Sequence, residues 1–132
     1  MKGPLDLARG LVAKAEKDLI AAEATLATAR VLDTVYLHAQ QAVEKSLKAL
    51  LALDDVEYPR RHDLGELVAL VKERVREIRA LEVEMVGLAP YEAAVRYDEA
   101  FAPDLAEAQA ALEIACEVYG IGVGLVGKKK GT

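Results

Sequence analysis

Leu5, Ala8, Val12, Ala15, Leu19, Ala22, Leu26 and Ala29 recur at alternating three- and four-residue steps, and no other pattern constrains this chain as tightly. A period near ~3.5 gathers these positions on one side of a helix, predicted from Pro4 to about Thr28. Every second position of the seam is Ala, so a partner helix can approach toward the short end of the usual ~8–10 Å interaxial range. Leu105, Ala108, Leu112, Ala115, Tyr119 and Gly122 repeat the large and small alternation near the C-terminus. The first and last long helices are therefore expected to be close neighbours.

Two further helices fit between them. Asp33 or Thr34 suits the N-cap of the second, which should run to about Leu53 before Asp54, Asp55 and Pro59 interrupt it. The third opens on Asp63 and Glu66, spaced as a capping box. Leu64, Leu67, Val68, Val71, Val75 and Ile78 then fall on one side, with a charged face from Lys72 to Arg79 opposite, as far as Gly87 and Pro90. A short helix or irregular connection is expected between Tyr91 and Ala102, with Pro103 in the first turn of the last helix. Gly120, Gly122, Gly124 and Gly127 should fray its end. No segment carries a period-2 strand signal. The fold class is therefore all-α: an antiparallel up-and-down four-helix bundle. Residues 1–127 form one domain and 128–132 a basic tail.

Size and charge narrow the function. A chain of 132 residues supports one core of real size. Seventeen Lys and Arg against 22 Asp and Glu give a net charge of −5, so a site for an anion has to be a local basic patch. Cys116 is the single cysteine, so no internal disulfide forms and a reducing cytoplasm fits. Met1-Lys2-Gly3-Pro4 leads straight into the amphipathic pattern, without the apolar run of a secretory signal. The uncharged run from Val118 to Gly127 is too short and too glycine-rich for a membrane span. The absence of Asn, with only three Gln, leans toward a thermophilic source. Two His and one Cys, with no paired-His helix motif, offer no metal set, and no cofactor is expected.

The wet side of the second helix is where chemistry is expected. Val35, Ala39, Ala42, Val43, Ser46, Leu47 and Leu50 share its apolar side, while His38, Gln40, Gln41, Glu44, Lys45 and Lys48 fill the rest. Gln41, Lys45 and Lys48 bring amide and ammonium donors that suit a phosphate. Glu44 and Lys48 also form a favourable i, i+4 pair, worth about 0.2–0.5 kcal/mol. Leu37 and Leu51 fall in the same polar arc, which a dimer contact would explain. The Arg60-Arg61-His62 loop precedes a helix start, and Arg96 beside Tyr97 pairs a guanidinium with a ring on which a base can stack.

The run His38-Ala39-Gln40-Gln41-Ala42-Val43-Glu44-Lys45-Ser46-Leu47-Lys48-Ala49-Leu50-Leu51, then Pro59-Arg60-Arg61-His62-Asp63-Leu64, then Arg96-Tyr97, resembles the HEPN domains in order, over roughly Leu7 to Val118. The resemblance implies a bundle of about four long helices, usually paired as a homodimer. Some members are RNases; others resemble nucleotide-binding partners of minimal nucleotidyltransferases. RNase members carry an Arg followed, after four to six residues, by a His. Here no His follows Arg96 at all, and Arg30 and His38, with seven residues between them, lie at a different helical location. Metal-independent RNA cleavage needs a proton acceptor and donor near neutral pH, for which His is the usual side chain. The expectation is thus a non-catalytic, cytoplasmic HEPN-like homodimer without a membrane role. Gln41, Lys45, Lys48, His62, Arg96 and Tyr97 would bind a nucleotide or phosphate-containing ligand, RNA being less favoured. Its partner would be a separate minimal nucleotidyltransferase, in a toxin-antitoxin-like pair. The alternatives are an RNase toxin of the same fold and a purely structural protein-interaction module.

Overall fold

A computed structural model describes residues 3–58, 63–88 and 97–128. Three long helices dominate: α1 (Pro4–Leu26), α2 (Leu32–Leu53) and α6 (Leu105–Lys128). Between α2 and α6 lie the short helices α3 (Leu64–Lys72), α4 (Arg76–Ala80) and α5 (Glu82–Val86). The described residues contain no strand.

Local chemistry sets the helix starts. Pro4 occupies the first turn of α1, and the Gly3 N–H donates to Asp6 Oδ2 at 3.2 Å. Asp63 caps α3 by accepting from the Glu66 N–H at 3.1 Å. At the start of α6, the Asp104 N–H donates to Glu107 Oε1 at 3.0 Å and the Glu107 N–H to Asp104 Oδ1 at 2.7 Å. That reciprocal box makes Asp104 the cap and leaves Pro103 just outside. At α2 the expected cap is displaced. Asp33 lies within the first turn and Val31 holds the cap position at φ 43°, a left-handed conformation unusual for a β-branched residue.

α2 is the central helix, with twelve of its 22 residues buried. Ala8, Ala49, Ala52 and Val126 form one small apolar cluster, and Leu19, Ala22, Val35, Tyr36 and Leu112 belong to the main one. α1 therefore runs antiparallel to α2. α6 lies beside both, as the shared seams predict, with Tyr119 Oη donating to Glu16 Oε2 at 3.1 Å. Ala8, Ala15 and Ala22 on α1, Ala39, Ala42 and Ala49 on α2 and Ala108 and Ala115 on α6 are all fully buried, and such small side chains between the helices permit the close approach.

The leg after α2 departs from expectation. A single helix from Asp63 to Gly87 does not form: the chain breaks after Lys72 and Val75 is extended (φ −127°, ψ 108°). It then turns back on itself, so that Lys72 Nζ meets Glu82 Oε2 at 2.8 Å and Arg79 Nε donates to the Lys72 carbonyl at 3.3 Å. The reversal lets Ile78, Met85 and Leu88 join Val71 in the main core, and that burial outweighs the hydrogen bonds lost at the break. The expected fraying of α6 also does not occur. Gly122 and Val126 are buried against α1 and α2, and the helix continues through Lys128, which thus belongs to α6 rather than to a tail. By length and composition α6 is long and apolar enough to cross a bilayer, yet its buried positions recur at three- and four-residue steps as in a core helix.

Candidate functional site

The polar side of α2 is turned largely toward the protein's own helices. Asp18 sits on the buried stripe of α1, its side chain only 8% exposed. His38 Nδ1 donates to Asp18 Oδ1 at 2.9 Å, and Lys45 Nζ donates to Asp18 Oδ2 at 2.5 Å. A carboxylate so deprived of water requires such partners, because unpaired it would cost several kcal/mol. Two turns of α2 separate His38 from Lys45, so one Asp bridges them across the α1–α2 seam. Gln41, half-buried between them, makes no side-chain hydrogen bond with the described residues.

Lys48 is also engaged. Its ammonium lies 3.0 Å from Glu44 Oε1, as the i, i+4 spacing predicts, and 5.5 Å from the centroid of Tyr58. Gln40 is buried and donates through Nε2 to the Leu88 carbonyl at 2.8 Å. One turn earlier, Tyr36 meets Phe101 edge-on at 5.4 Å. One stripe of α2 therefore grips Leu88 and Phe101, which stand on either side of the segment carrying Arg96 and Tyr97.

Several expected site residues change role. Lys45 and Lys48 are not free cations on a wet face: each is neutralised inside the protomer by Asp18 or Glu44. Leu51 is 1% exposed and so is not a wet leucine, and Leu37 packs half-buried on the core. Both belong to the packing of the main core, which a bare wheel of α2 omits. Tyr97 is 83% exposed, its ring open to solvent. His62 and Arg96, like Arg60 and Arg61, lie outside the described residues. Ser46 lies on the apolar side as expected; its Oγ is buried and makes no hydrogen bond among the described residues.

Asp18 is the residue that sequence reasoning missed. It stands one position before Leu19 in the seam, so an acid on a core stripe was visible, but its partners come from another helix. Elsewhere, the exposed Cys116 loses enough water to neighbouring atoms to push its thiol above its ordinary range, with the charges of Glu23 and Glu113 adding to the effect. Burial, then the hydrogen bond to Glu16, raises Tyr119 in the same way. Among the described residues no group of three or more His, Cys, Asp or Glu converges as a metal site.

No curated protein and no solved structure matches the chain. The model of the HEPN domain does match, over residues 8–126. That span contains α2 whole, the Asp18–His38–Lys45 cluster and most of α1 and α6, and the chain belongs to the HEPN domain family.

Proposed function

We propose that this chain is a non-catalytic HEPN domain that pairs as a homodimer in the cytoplasm and binds a nucleotide or other phosphate-containing ligand. In this reading it works with a separately encoded minimal nucleotidyltransferase in a toxin-antitoxin-like pair, on a four-legged antiparallel bundle whose third leg is segmented. One observation carries it: a chain matching the family over residues 8–126 has no His after Arg96. The anion then depends on His62 and Arg96, with Gln41 as an amide donor and Tyr97 beside the base. Lys45 and Lys48 reach it only by exchanging Asp18 and Glu44. Calorimetry with ATP and GTP at low salt tests the ligand: binding should weaken at least about tenfold in Arg96→Ala, the loss of roughly one charge-assisted contact. No heat with any nucleotide would remove the ligand half, and failure to co-purify with a nucleotidyltransferase the partner half.

A second reading, a metal-independent RNase, is favoured by the Asp18–His38 contact. Asp18 fixes Nδ1 as donor and leaves Nε2 to accept a proton, as in an oriented base. Lys45 on the same carboxylate weakens that arrangement by sharing its charge. Degradation of a mixed RNA pool that is abolished by His38→Ala, but retained in Lys45→Gln, would favour this reading over the first.

A further inference from the structure

At the end of the molecule where α2 and α6 finish, a recess of about 490 Å³ opens beside the break between α3 and α4. Its floor is apolar, made by Leu50, Leu53, Val75 and Leu125. Its rim carries Arg74, Arg76 and Lys128, one from the turn after α3, one from the start of α4 and one from the last turn of α6. These cations differ from those of the α2 face. Arg74 Nη1 comes no nearer than 3.9 Å to Asp54 Oδ2, and Arg76 and Lys128 make no ion pair with any described residue.

The charge balance selects the ligand. Three cations face Asp54 and Glu77, an excess of one positive charge on a chain of net charge −5. The C-terminal carbonyls of α2 and α6 add partial negative charge at the same end. A polyphosphate would be poorly matched there; a single negative charge is matched. The floor, in turn, favours a ligand with an apolar body, and the volume lies in the range of small-molecule sites, about 300–1,000 Å³. We propose that this recess binds a small amphipathic carboxylate, its anionic head among Arg74, Arg76 and Lys128 and its apolar chain or ring on the leucine and valine floor. The head belongs either to a free organic acid or to the C-terminus of a peptide with apolar last residues. The site is separate from the ligand site proposed above, and neither depends on the other.

The test titrates the full chain with octanoate, acetate and octanol, and with a short peptide ending in Leu-Leu as free acid and as amide. Octanoate should bind saturably and at least about tenfold tighter than acetate or octanol, with affinity rising about fourfold per buried methylene added. Arg76→Gln with Lys128→Gln should weaken it about tenfold or more, whereas Lys14→Gln with Lys17→Gln, exposed on α1, should not. Amide shift changes in the unaltered protein should map to residues 74–77 and 125–128, a readout independent of how any variant folds. Binding of the free-acid peptide but not the amide would identify a peptide terminus as the source, and octanoate alone a free acid. Equal binding of octanoate and octanol, shift changes elsewhere, or a double variant altered only in its ligand-free melting temperature would each overturn the proposal, the last by showing that the cations serve only the helix ends.

Discussion

The α1–α2 seam and the α3–α5 leg both carry an ion pair between helices, at 2.5 Å for Lys45–Asp18 and 2.8 Å for Lys72–Glu82. Contact distance does not distinguish them; water does. Asp18 is 8% exposed in its side chain, while Lys72 and Glu82 are 30% and 36% exposed. A desolvated carboxylate makes its partners obligatory, whereas an exposed pair exchanges freely with solvent. The first is a fastening between long helices and the second a surface feature of a leg held by its apolar residues.

Asp18→Ala tests the fastening most severely. It strands Lys45 and His38 against an apolar seam and should cost about 2–3 kcal/mol, discounted from the ~3–5 of a fully buried pair because both partners keep some water. Urea unfolding reads it, and a loss under about 1 kcal/mol would place the pair with the exposed ones. Gln40→Leu comes next, at about 2 kcal/mol, because it leaves the buried Leu88 carbonyl without its donor. Hydrogen exchange should show residues 84–88 opening before α1 or α2; uniform opening would mean the leg does not depend on Gln40.

Two glycines sharpen the contrast on a smaller scale. A Cβ at Gly122 would meet Ser46 at 3.8 Å, an ordinary contact, so Gly122→Ala should stabilise by about 0.5–1 kcal/mol through helix propensity. At Gly87 the Cβ would crowd the Glu84 carbonyl oxygen at 3.3 Å and that of Val83 at 3.4 Å, so Gly87→Ala should bring no such gain. Equal midpoint shifts in thermal melts would contradict this. Smallest of all is Lys72→Gln. The hydrogen bond to Glu82, then its charge, holds the Lys72 amine above its ordinary range. Any stability from a raised folded pKa is present below the unfolded value and lost as pH rises through the folded one. Because water reaches both side chains of the pair, the melting curve should be unchanged at neutral pH and on the alkaline side alike.

Much of the scaffold was legible before any coordinates. The large and small seams of 5–29 and 105–122 mark α1 and α6 as neighbours, and Asp63 with Glu66 marks the start of α3. The break at Val75 was not, because the apolar stripe through Ile78 continues across it at unbroken helical spacing. The Asp104–Glu107 box was written in the sequence as D-L-A-E, but Pro103 beside it is an equally good residue for a first helical turn, and only the hydrogen bonds decide between the two starts. Of the candidate site, only the Glu44–Lys48 pair could be foreseen, since both partners lie on one helix.

Periodicity alone determined that this chain is helical, where its longest helices lie and which faces turn inward, because each of those properties is set within a few turns of one helix. Only the packed structure decided which polar residues remain available. Asp18 claims Lys45 from 27 residues away and Leu88 claims Gln40 from 48. Burial makes such long-range partners compulsory, and no local pattern encodes which distant group will supply them.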